Sequence, residues 1–174
     1  GKFTNQDVKN AQDFASASES IAESTNRFAA AAQSARDNVK QYGAELDKIG
    51  KGAEGMEGMF SNAKKDVNSL ADSIGKLATF NKQDLKDRKK RGIIQKSLTD
   101  VENKRAKISS RIASNNERLV NATGEERDNL IAANKILYNS RDAADGILED
   151  FEDINDEIDR INKGSNFSKK LADG

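Results

Sequence analysis

The densest set of chemically capable side chains is the acidic run Asp142, Asp145, Glu149, Asp150, Glu152, Asp153, Asp156, Glu157 and Asp159, with no base among them. Carboxylates at this density could hold a divalent cation or act as a general acid and base. An EF-hand loop, however, needs alternating acids, a central glycine and a closing glutamate, and di-iron bundles need Glu-x-x-His. This run instead carries an apolar residue every three or four positions, and the chain contains no histidine. The pattern predicts one solvated or paired face of a helix, with no metal and no cofactor.

Gly50-Lys-Gly-Ala-Glu-Gly55 spells the GxGxxG of dinucleotide-binding turns. That chemistry needs a strand before the glycines and a helix after them, whose N-terminus receives the pyrophosphate. A helical pattern precedes it here, so the glycines read as a joint. The basic cluster Lys86, Arg88, Lys89, Lys90 and Arg91 could touch phosphates, but no aromatic residue lies near it for stacking, so no specific nucleic-acid partner is expected. Cysteine is absent with histidine, which removes thiolate nucleophiles, His-based triads and zinc sites with N or S ligands. Asn121-Ala-Thr123 and Asn166-Phe-Ser168 match the glycosylation sequon, read as chance because no secretory signal precedes them. No catalytic, cofactor-binding or metal-ligating residue is assigned, and an enzyme is not expected.

The elements that carry these residues are long helices. Proline is absent, a third of the residues are charged and aromatics are sparse, a composition suited to narrow apolar stripes on extended helices. Phe14, Ile21, Phe28, Ala35, Tyr42, Ile49 and Met56 recur at intervals of seven, interleaved with Ala11, Ser18, Thr25, Ala32, Val39, Leu46, Ala53 and Phe60. The phase continues through Ala63, Val67, Leu70, Ile74 and Leu77. A stripe of this kind is built to lie along another helix. Its core residues before position 36 are mostly Ala, Ser and Thr, which bury little area. Thr4 with Asp7 predicts a cap and a helix start near residue 5. Gly50, Gly52, Gly55 and Gly58 weaken the helix, yet Ile49, Ala53, Met56 and Phe60 keep step. The expectation is one extended, jointed helix over 1–80, with a loop at 50–58 as the close alternative. Its self-association core is Phe14, Ile21, Phe28, Val39, Tyr42, Leu46, Ile49, Met56, Phe60, Val67, Leu70, Ile74 and Leu77.

Residues 81–93 read as a basic polar connector. A second stripe follows in Ile94, Leu98, Val101, Ile108, Ile112 and Leu119, with Arg105 and Asn115 as polar core positions that restrict register. Thr123 with Glu126 reads as a capping box beside Gly124. A third stripe is Leu130, Leu137, Ile147, Phe151, Ile154, Ile158 and Ile161. From Lys82 to Arg118 there are twelve bases against five acids, whereas 142–159 is wholly acidic among its charged residues. A turn near 120–125 would make 94–163 an antiparallel hairpin with Lys86–Arg91 facing Asp153–Asp159; a continued rod is the alternative. Residues 164–174 read as linker. The fold class is all-α, with coiled-coil-like heptad helices. Net charge is zero, and no apolar run is long enough to span a bilayer, so stable membrane insertion is not expected.

The Ala/Ser/Asp/Lys heptads, as in Phe14-Ala-Ser-Ala-Ser-Glu-Ser-Ile21 and Arg27-Phe-Ala-Ala-Ala-Ala-Gln-Ser-Ala-Arg36, with the glycines of Ile49–Phe60 and the lack of Pro, Cys and His, resemble a segment of a tail tape measure protein of a long-tailed bacteriophage. The likeness is one of texture over the whole chain, and no functional residue is carried over with it. It implies a helical virion protein that lies inside the tail tube, sets tube length during assembly and leaves ahead of the DNA. Its implied partners are further copies of itself, as a parallel homo-oligomer such as a trimer, and tail tube or baseplate hub proteins. The chain, without an initiator Met, reads as part of a longer protein. Two other classes fit the same pattern: a bacterial coiled-coil adaptor or filament protein, and a helical pore-forming effector.

Overall fold

A computed structural model describes residues 3–173, apart from the side chains at 14, 17–21, 161, 165–170 and 172–173. Phe14, Ile21 and Ile161, expected in the stripes, therefore lie outside the described side chains. Every regular element among the described residues is helical: α1 (Asn5–Lys51), α2 (Glu57–Leu77), α3 (Lys82–Lys86), α4 (Arg88–Leu119) and α5 (Gly124–Asp173). At 1.5 Å per residue, α1 and α5 are about 70 and 75 Å long, whereas α2 and α4 are about 31 and 48 Å.

The start of α1 follows its sequence signal. Thr4 Oγ1 accepts from the Asp7 N–H, and the Asp7 carboxylate accepts from the Thr4 N–H, closing a capping box. The end of α1 departs from the expectation of one extended helix over 1–80. The chain leaves the helix after Lys51, turns through 52–56 and folds back as α2. Gly55 takes φ +77 in that turn, a left-handed conformation open to glycine at little cost. The physical reason for folding back is proximity. A five-residue loop presents the second half of the stripe to the first at small closure entropy, without a second chain.

The connector at 81–93 is also more ordered than its polarity predicts. Asn81 and Asp84 form a second reciprocal capping box that nucleates α3. The Asp87 side chain accepts from the Lys89 and Lys90 N–H groups and starts α4 at Arg88. The turn at 120–123 produces an antiparallel hairpin of α4 and α5. Its capping differs from the Thr123–Glu126 box: α5 begins on Gly124 at φ +59, and Glu126 accepts from Arg118 across the hairpin. Residues 164–173, expected as linker, continue α5. With no proline to stop it, the helix runs on beside α1.

The helices run up-down-up-down, each packed on two neighbours in the order α1, α2, α4, α5 and back to α1. Two facing pairs with opposite numbering give the antiparallel sense at each of the four seams: Asp47–Lys64 and Gly50–Phe60 for α1 and α2, Ser73–Asp100 and Asp66–Arg111 for α2 and α4, Arg105–Asp145 and Asn115–Asn134 for α4 and α5, and Phe28–Phe151 and Ser24–Glu157 for α5 and α1. Because α1 and α5 outrun α2, they continue past the four-helix section as an arm, flanked at first by α3 and the opening turns of α4. Phe28, Val39, Leu46, Met56, Phe60, Val67, Leu70, Ile74 and Leu77 are buried, and Tyr42 and Ile49 pack half-buried against them. Residues assigned to contact between chains thus meet the chain's own helices. Ile94, Leu98, Val101, Ile108, Ile112, Leu130, Leu137, Ile147, Phe151 and Ile154 complete the core, flanked by Leu119 and Ile158. Each large side chain buried this way is worth roughly 1.5–3 kcal/mol of transfer free energy.

Candidate interaction surfaces

Polar contacts between helices run along the seams, where they set register. Asp66 projects from α2 and is 6 % exposed. It accepts from Arg111 of α4 and lies 3.5 Å from the Lys107 ammonium. One turn further along the same seam, Lys104 donates to Ser69 Oγ, and Ser73 Oγ donates to Asp100 at 2.7 Å. These contacts repeat every turn because residues three and four apart share a helix face.

The α4–α5 seam uses the charge partition read from the sequence, but with other partners than expected. Arg105 donates through two nitrogens to Asp145, which pushes the guanidinium further above its ordinary value. Arg118 pairs with Glu126, and Arg141 donates to Ser109 Oγ. Among the described residues no ion pair joins Lys86–Arg91 to Asp153–Asp159. Lys90 turns back to Asp84 at 3.0 Å, and Arg91 donates to the Leu85 carbonyl. The short α3 supplies those local acceptors, a signal hidden in the polar connector. Lys90 holds the Asp84 carboxyl below its usual range, aided by the Asn81 N–H, and Asp84 raises Lys90 in return. On α1, Lys64 and then Lys51 lower Asp47 in the same way.

Asn115, expected as a polar core position, is buried. Its Nδ2 donates to Asn134 Oδ1, and Asn134 Nδ2 donates to Asn116 Oδ1, each at 2.9 Å. Asn134 is not marked by the sequence pattern because it is a polar residue between the stripe residues Leu130 and Leu137, off their seven-residue count. The residual acids of α5 remain largely solvent-facing: Glu149, Asp150, Glu152, Asp153, Asp156 and Asp159 are exposed. No group of three or more acids among the described residues is placed to hold a metal ion.

Two open grooves lie where α5 passes the end of the four-helix section. One, of about 310 Å³, is lined by Ser24, Arg27, Phe28, Ala31, Asp150, Asp153 and Ile154. Within it Ser24 Oγ donates to Glu157 Oε1 at 2.9 Å, and Arg27 donates to Ser24 Oγ. A serine bonded to a carboxylate has no imidazole to relay its proton, so this contact acts as a clamp between α1 and α5. The second groove, of about 270 Å³, is more apolar, with Leu85, Ile94, Phe151 and Ile158 beside Arg91, Gly92, Gln95 and Asn155. Gly50, Gly52 and Gly55 of the GxGxxG sequence occupy the end of α1 and the turn after it, with no strand before them among the described residues. No helix among the described residues is long and apolar enough to cross a membrane. Comparison of the chain with family models, curated proteins and solved structures gives no match.

Proposed function

We propose that the chain is a structural spacer: a helical segment of a protein resembling a phage tail tape measure, working in the tail interior with further copies and with tail tube or baseplate hub proteins. The observation that carries this reading is the geometry of α1 and α5. They are more than twice and about one and a half times as long as their respective hairpin partners α2 and α4, and they place side chains along a narrow axis of about 75 Å. The functional demand on such a segment is length and alignment rather than a shaped cavity. The polar seams, repeated turn by turn, supply alignment. Small core residues of α1, such as Ala32 and Thr25, support a segment able to loosen when the tail empties. Parallel self-association along the stripe belongs to an opened form, because in the bundle that stripe is already covered.

The adaptor reading is favoured by a different observation. Ile131 and Tyr138, seven residues apart on α5, are exposed, and Arg141 lies over the Tyr138 ring at 4.9 Å. Such a face suits contact with a partner helix.

In-frame deletion of residues 1–174 from the tail protein of a phage carrying the chain separates these readings. A spacer predicts tails shorter by about 75 Å if the segment sits as the bundle, or by about 260 Å if it lies as extended helix. Tails of unchanged length in electron micrographs overturn it.

A further inference from the structure

The α1–α2 hairpin keeps a pattern that a hairpin does not require. The three-four alternation Leu46, Ile49, Ala53, Met56, Phe60, Ala63 crosses the turn without a slip. A loop between antiparallel helices tolerates insertions freely, since its residues need not keep a helical phase. The phase here is that of one continuous helix from α1 into α2.

Two structural facts bear on the same point. Gly50 already lies in α1 and Gly58 in α2, so straightening the turn brings only Gly52 and Gly55 newly into helix. The facing pairs Gly43–Asn68, Asp47–Lys64 and Gly50–Phe60 are all centred on residue 55. Gly55 is the residue at φ +77, and no atom lies within 4 Å of where its Cβ would stand.

We propose that residues 52–56 are a hinge through which two copies of the chain exchange α1. In the exchanged form, α1 and α2 of one copy become one helix. Its α1 half docks between α2 and α5 of the second copy, and the second copy's α1 docks reciprocally. The two straightened helices run antiparallel and cross on a dyad near residue 55, with Ala53 and Met56 on the contact face and position 55 beside it. Every contact of α1 is remade between copies, including Asp47–Lys64 and the edge-to-face pair Phe28–Phe151. No new core is needed, because the stripe that covers itself in the monomer covers its copy in the dimer.

The hinge is tested by Gly55→Ala with light-scattering detection of size-separated species. Alanine is strained at φ +77 and favoured in continuous helix, so the dimer-to-monomer ratio should rise by about tenfold or more over wild type at equal concentration. Gly58→Ala, helical in both forms, should leave the ratio unchanged. Exchange is read directly by refolding Asp47→Cys and Lys64→Cys chains together, each on the Gly55→Ala background, and treating them with a short bismaleimide. The expected product is a cross-linked heterodimer. A monomeric Gly55→Ala protein, or a dimer without the 47–64 cross-link, overturns the proposal. Should Gly55→Ala fail to fold, wild-type-background Cys variants refolded together at high concentration give the same readout, and absence of the cross-link there overturns it equally.

Discussion

The seams show how single residues decide register. Asp66 is buried while Arg111 and Lys107 remain partly in water, so truncating Asp66 removes the acceptor without stranding a fully buried charge. Asp66→Ala should cost about 1–2 kcal/mol, read as a lower urea midpoint at unchanged slope. Asn115→Ala leaves Asn134 Oδ1 buried without its donor and should cost about 1–3 kcal/mol. Titration gives a separate handle. Asp84 and Asp47 have lowered folded pKa values, so their contribution is complete above the ordinary value of 3.8 and is lost as pH falls through the folded values. Lys90 is raised, so its contribution is complete below 10.5 and is lost as pH rises through its folded value. Asp84→Asn keeps an acceptor for the cap but removes the charge. It should flatten both the acid and the alkaline arms of a stability–pH profile followed by circular dichroism.

At the scale of elements, the glycines of the α1–α2 hairpin sort by what a methyl group would meet. At Gly50 a Cβ would stand 2.7 Å from Phe60 Cβ, an atom fixed to the backbone of α2. At Gly43 it would meet the amide end of Asn68, which can rotate away, and at Gly58 it would meet open space. Gly50→Ala should therefore destabilise by about 1–3 kcal/mol, Gly43→Ala by less, and Gly58→Ala should stabilise by about 0.5–1 kcal/mol. Thermal unfolding of the three variants checks the order. The same elements show what the sequence made legible. The Thr4–Asp7 cap, the stripes and the turn near 120–125 were each set by local chemistry, and the structure follows them. The turn at 52–56 was obscured because the apolar phase runs through it, and periodicity reports which face is buried but not which partner buries it. The α3 caps were obscured by the basic residues around Asn81, Asp84 and Asp87. Among the seam partners, Arg105 is legible as a polar residue on the three-four pattern of α4, whereas its pairing with Asp145 rather than Asp153–Asp159 depends on the hairpin register, which the pattern does not carry.

The whole molecule is an antiparallel four-helix section extended by the α1–α5 arm. Its stripe residues are shared between large side chains in the four-helix section and small ones toward the arm. Local stability should fall along α1 toward its N-terminus, with slow amide exchange around Val39 and Leu46 and faster exchange before residue 25. The central claim is that the heptad stripe closes on itself within one chain. Spin labels at the exposed positions Lys40 and Asp72 test it in the monomer fraction by pulsed dipolar spectroscopy. The bundle places these residues near the same level of adjacent antiparallel helices, and a label separation below about 25 Å is predicted from helices packed 8–10 Å apart with label linkers added. A separation of about 48 Å, the rise of 32 residues along one continuous helix, would contradict it.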